Sequence, residues 1–129
     1  MEFSSQRYAD VVVAAPVGQV DHASAPRLES ALAPMLEANG DTGAIVLDFA
    51  GVHYISSVGL RVLMIAAKKM RAREAAIGVA ALQPVVQEIF DISRFDHVVE
   101  VYPSVRDALA ALSQPALAAF DRASPSPPR

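Results

Sequence analysis

Cysteine is absent from the 129 residues. Its absence excludes disulfides and thiolate zinc sites, and with them the secreted scaffolds that depend on such bridges. Aromatic residues make up only 6% of the chain, so an aliphatic core is expected in place of stacked rings. No apolar run reaches about 18 residues, and no membrane-spanning helix is expected. Basic charge is not in excess: 11 Lys and Arg stand against 14 Asp and Glu, for a net charge of −3. A phosphate-backbone binder needs clustered cations, so no nucleic-acid partner is expected. The one basic cluster, Lys68, Lys69, Arg71 and Arg73, reads as a solvated helix end favoured by the helix dipole. The first residues, Met1 to Arg7, hold no apolar signal core, which makes a cytoplasmic location the simplest expectation.

Catalytic signatures are missing too. No Gly-x-x-x-x-Gly-Lys loop is present for nucleotide phosphates. Ser57 has Ile55 two residues before it, so no Gly-x-Ser-x-Gly elbow surrounds it. His22, His53 and His97 are dispersed and lack a helical metal-ligand spacing. The expectation is a protein that is no enzyme and uses no metal or cofactor.

What is present is 53% hydrophobic and 19% charged, which suits one domain with a real core. Val11–Ala15 reads as a buried strand ending at Pro16 and Gly18, with Gln19-Val20-Asp21 as a possible extension. Ser24-Ala25-Pro26 is a helix start, Leu28, Leu32, Met35 and Leu36 form one apolar face, and Asn39-Gly40 is a stop. Ala44–Phe49 is a second strand. A long helix follows from Ser56-Ser57 to about Arg73, then a strand over Ala76–Leu82 and a helix from Pro84 to Ile92. A strand over Val98–Tyr102 and a helix carrying Val105, Ala108, Leu109 and Leu112 complete the pattern. This alternation predicts an α/β domain: a mixed, mostly parallel sheet of four to five strands with about four helices. Residues 1–7 are read as an N-terminal extension and 8–114 as the domain. The proline-dense end, 115–129, is read as a disordered tail.

The start of the long helix is the candidate site. Ser56 and Ser57 are both good N-caps, since a short side-chain oxygen can accept from first-turn amides. Gly59 costs roughly 1 kcal/mol inside a helix, unless something must come close there. The helix also has two apolar stripes. Leu60, Leu63, Met64 and Ala67 form one; Val58, Val62 and Ile65 form the other. A helix on a sheet needs one stripe, so the second faces either a neighbouring helix or a partner. A phosphate at Ser57 would suit the helix start, where free N–H groups and the dipole favour an anion. It would also put charge beside a docking surface built on Val58 and Val62.

Ile45 to Lys69, with the segment Tyr54-Ile55-Ser56-Ser57-Val58-Gly59-Leu60 at its centre, resembles the STAS domain of bacterial anti-sigma factor antagonists. Gly18-Gln19-Val20-Asp21 upstream and Ser93-Arg94-Phe95-Asp96 downstream are similar to family motifs in the same order, so the resemblance covers roughly residues 8–112. It implies a partner-switching cycle. The unmodified protein binds an anti-sigma factor serine kinase and frees the sigma factor; phosphorylation ends binding; a PP2C-type phosphatase reverses it. Aligned on Gly59 and Leu60, the phosphoserine falls on Ser57, with Ser56 the alternative, and a nearby acidic residue falls on Asp21. The implied partner surface comprises Asp21, Ser56, Ser57, Val58, Gly59, Arg61, Val62 and Ile65. Three positions depart from the family pattern: Ser56 replaces an Asp, Val58 a hydroxyl residue, and Arg61 a common glycine. The competing role within the same family is a scaffold or a lipid-transport-complex subunit.

Overall fold

The computed structural model describes residues 1–37 and 42–123. The chain opens with β1 (Glu2–Tyr8), which pairs antiparallel with β2 (Val11–Val20) from Glu2↔Val17 to Tyr8↔Val11. After α1 (Ala25–Leu36) come β3 (Ala44–Asp48), β4 (Val52–Ile55), α2 (Ser57–Ala72) and β5 (Ala76–Ala80). Then follow α3 (Pro84–Ile92), a 3₁₀ turn at Phe95–His97, β6 (Glu100–Tyr102), α4 (Val105–Leu112) and α5 (Gln114–Ala123). The sheet runs β1-β2-β3-β5-β6, with β4 added beside the far end of β2. Every pairing except β1–β2 is parallel. Among the described residues, no helix is long and apolar enough to cross a membrane.

Period-two alternation explains the layers. On β3, Ile45 and Leu47 face the core under α1, α2 and α3, while Ala44 and Val46 face α4 and α5. Phe49 stacks edge-on against Phe90 at 6.4 Å, and Phe90 against Phe95 at 5.1 Å, which ties α3 and the 3₁₀ turn to the first of these cores.

The α/β expectation holds, with six strands and five α-helices among the described residues. Of residues 1–7, read as an extension, Glu2 to Arg7 belong to β1. Their polar sequence is compatible with an edge strand that is bonded on one side only. Residues 115–123, read as part of a disordered tail, belong to α5. Ala116 is buried there, and Phe120 meets Tyr8 edge-on at 5.2 Å. Arg106 on α4 holds Asp121 of α5 at 3.0 Å. The boundaries drawn at 8 and 114 therefore cut through packed structure; Ser124 to Arg129 lie outside the described residues, as does the stop read at Asn39-Gly40.

β2 continues through Pro16 and Gly18, where the sequence suggested a break. β3 pairs with β2 as far as Ala14 and β4 takes over from Gly18, so Pro16 falls where one side of the strand has no ladder to disrupt. Gly18 has a φ of +114° and marks a register shift in the β4 pairing. Bridging that shift, the Gly18 amide donates to Gly51 O at 2.9 Å.

Candidate functional site

The site forms where β2 and β4 end side by side. The parallel register Val20↔Ile55 sends the chain on to Asp21 and Ser56, two residues that therefore leave the same sheet edge together. The Ser56 amide donates to Val20 O at 2.8 Å, which clamps the start of α2 to the end of β2.

Ser56 is the N-cap. It is extended at φ −88° and ψ 173°, and its Oγ accepts from the Gly59 amide at 3.3 Å. Ser57 is the first helical residue, and it is exposed. Its hydroxyl has no hydrogen-bond partner among the described residues. The two serines thus divide the work: one finishes the helix, and the other presents a free hydroxyl beside first-turn amides and the positive end of the dipole.

Gly59 is buried for a packing reason. A β-carbon there would come 2.7 Å from both Val20 Cγ1 and Ile55 Cγ1. The close approach that the glycine allows is to the core beneath the helix.

Asp21 is held in the turn ahead of α1. Its carboxylate accepts from the amides of Ala23 and Ser24, both at 3.0 Å, and from Gln19 Nε2 at 2.7 Å. The Ser24 amide is the main reason its pKa lies below the usual carboxylate range; partial desolvation opposes this, and the Ser24 hydroxyl, Gln19 and Ala23 reinforce it. Ser24 stands at the N-cap of α1 but makes no side-chain cap bond; its Oγ donates instead to Gln19 O at 2.9 Å. The turn is thereby rigid on its own, and it borders the start of α2.

The second apolar stripe of α2 meets α1 only in part. Val62 is 8% exposed and Ile65 half-buried, whereas Val58 remains 42% exposed. Between the helices runs a groove of about 220 Å³, lined by Pro26 and Glu29 of α1 and by Val58, Arg61, Val62 and Ile65 of α2. Four of the residues assigned to a partner surface from sequence are thus brought together in one groove. Pro26 and Glu29 were missed. Their exposed i, i+3 spacing on α1 was the available signal, but nothing in one dimension says which helix α1 faces. A cavity of similar size near the other end of α2, lined by Arg71, His97 and Glu100 among others, includes none of the site residues.

The basic cluster is partly used internally: Arg73 donates to Thr42 O at 2.9 Å and Arg71 to Val98 O at 3.4 Å. Among the described residues, no group of three or more His, Asp or Glu side chains is placed to hold a metal ion.

A family model described as the STAS domain matches residues 2–108. BtrV of Bordetella bronchiseptica, named as an anti-sigma factor antagonist, is 35% identical over 117 residues, covering 91% of this chain and 98% of that protein. The crystal structure of an anti-sigma factor antagonist from Mycobacterium paratuberculosis superposes with a TM-score of 0.76 at 27% identity, covering 86% of this chain and 94% of that one. The phosphorylated form of the Bacillus cell fate determinant SpoIIAA shares the fold, with a TM-score of 0.66 at 14% identity over 87% of this chain and all of that one.

Proposed function

Because the chain belongs to the STAS domain family, we propose that it is an anti-sigma factor antagonist controlled by reversible phosphorylation of Ser57. The likeness to BtrV and to the mycobacterial antagonist supports the first half of this reading. The observation that carries the second half is the division between the two serines. Ser56 is committed to the cap, and Ser57 offers an exposed, unbonded hydroxyl beside the groove.

In the unmodified state the start of α2 and the groove receive an anti-sigma factor that is also a serine kinase, and the sigma factor is released. The kinase then moves the γ-phosphoryl group of ATP to Ser57. The Oγ–P bond forms, the bond to the ADP oxygen breaks, and the hydroxyl proton leaves. Helix capping survives, because Ser56 and not Ser57 holds the Gly59 amide. The domain itself stays folded, with first-turn N–H groups and the dipole favouring the new anion. The partner, however, must now bury about −1.5 to −2 charges next to Val58. Binding ends by local repulsion and desolvation, with no change of fold. A PP2C-type phosphatase restores the hydroxyl by hydrolysis.

The test is peptide mapping by mass spectrometry after incubation with the cognate kinase and ATP. One phosphoryl group is expected on Ser57, and none in Ser57→Ala. Phosphate on Ser56 of the unmutated protein would overturn the assignment.

A further inference from the structure

Arg61 follows Ser57 by four residues on α2, one turn further along the same face. The β-carbons of such a pair lie about 5–6 Å apart, within reach of a guanidinium group. Both residues are exposed, and neither side chain has a hydrogen bond or ion pair among the described residues. Arg61 also lines the groove, where Glu29 of α1 is the other charged lining residue. In the unmodified protein Arg61 is therefore an unengaged cation on the rim of the docking surface.

We propose that Arg61 is the intramolecular partner of phosphorylated Ser57, turning back one helical turn to bind the phosphate and leaving the groove rim. This rests on Ser57 being the phosphoacceptor. Three pieces of chemistry support it. An anion placed four residues N-terminal to a cation is the favoured order on a helix. The planar guanidinium matches phosphate oxygens with paired, charge-assisted hydrogen bonds. An exposed side chain changes rotamer quickly and needs no rearrangement of the fold. The consequence is a switch of two charges. Phosphorylation adds an anion at the helix start and withdraws the cation that an acidic residue of the partner would meet. Glu29 then remains as the charged group on the rim. Arg61 is a positioning residue for the phosphate and takes no part in the phosphoryl transfer.

The experiment uses the full chain with phosphoserine installed at position 57 during translation, so it does not depend on any kinase. Phosphorus NMR follows the second ionisation of the phosphate in the unmutated protein, in Arg61→Ala and in Arg61→Lys. Asp21, His22, Arg27, Glu29, His53 and Tyr54, the ionisable groups of the adjoining turn, of α1 and of β4, are common to all three proteins and cancel in the comparison. The unmutated protein is expected to titrate about 0.5 unit below Arg61→Ala, the shift an exposed ion pair supports. Arg61→Lys is expected to fall between them, and added salt should narrow the gap. Coincident midpoints for the unmutated protein and Arg61→Ala would overturn the pairing and leave the phosphoacceptor assignment standing. Failure of the kinase to modify Ser57 would remove that assignment while leaving the measured pairing intact.

Discussion

Replacing Gly59 with Ala tests whether the start of α2 is seated where the structure puts it. The new methyl carbon would sit 2.7 Å from Val20 Cγ1 and 2.7 Å from Ile55 Cγ1, about 1 Å inside normal carbon–carbon contact on each. Neither neighbour yields easily. Val20 and Ile55 are 0% and 1% exposed, and both are β-branched, hence stiff at χ1. Relief requires off-rotamer side chains or a lifted helix, and overpacking of this kind costs about 1–3 kcal/mol. Against it stands the helix preference of Ala over Gly, at most about 1 kcal/mol. With two stiff groups in collision at once the upper part of that range applies, leaving a net destabilisation of about 1–2 kcal/mol, or roughly 3–8 °C in Tm for a domain of this size. Urea and thermal unfolding would measure it. A double-mutant cycle with Val20→Ala supplies the discriminating result: removing one of the two colliding groups should reduce the Gly59→Ala penalty by about 0.5 kcal/mol or more. A Gly59→Ala protein as stable as the parent, or a penalty unchanged by Val20→Ala, would refute the close approach.

Ser56→Ala is expected to lower stability by about 1 kcal/mol through loss of the cap, whereas Ser57→Ala should stay within about 0.5 kcal/mol; urea unfolding showing the reverse order would exchange the roles of the two serines. Asp21 has a folded pKa below its ordinary value, so its contribution to stability is present above about pH 4 and is lost as pH falls through the lowered value. Unfolding measured between about pH 5 and 2 should therefore decline more steeply for the parent than for Asp21→Asn, and parallel curves would contradict the hydrogen-bonded turn.

The start of α2 was legible because its signals are local. Two cap-type serines, a glycine and a periodic apolar run fall within one helical turn of each other, and each acts through neighbours in sequence. The sequence could not decide which serine caps, since both suit the position. The register that joins Ser56 to Val20 decides it, and that register is a property of the sheet. β1 was illegible for a related reason. Ser4, Ser5 and Gln6 form no apolar pattern, and the strand exists because β2 offers it an edge. β4 is four residues long, too short for periodicity to register. In α5, Ala116, Leu117 and Phe120 do form an apolar face, but the prolines that follow suggested an unstructured end. The groove was half visible. Val58, Val62 and Ile65 announced a second stripe on α2, while its opposing wall on α1 depends on how two helices pack across the sheet.

In the proposed cycle, a single phosphate on Ser57 decides whether this surface is open to its partner. The most direct measurement is the dissociation constant of the cognate anti-sigma factor kinase for the unmodified protein and for the protein carrying phosphoserine at 57, by titration calorimetry at fixed ionic strength. A burial penalty of about 3 kcal/mol or more for the phosphate, whose charge one guanidinium only partly neutralises, corresponds to binding weaker by a factor of about 100 or more. Equal affinity for the two forms would contradict the switch.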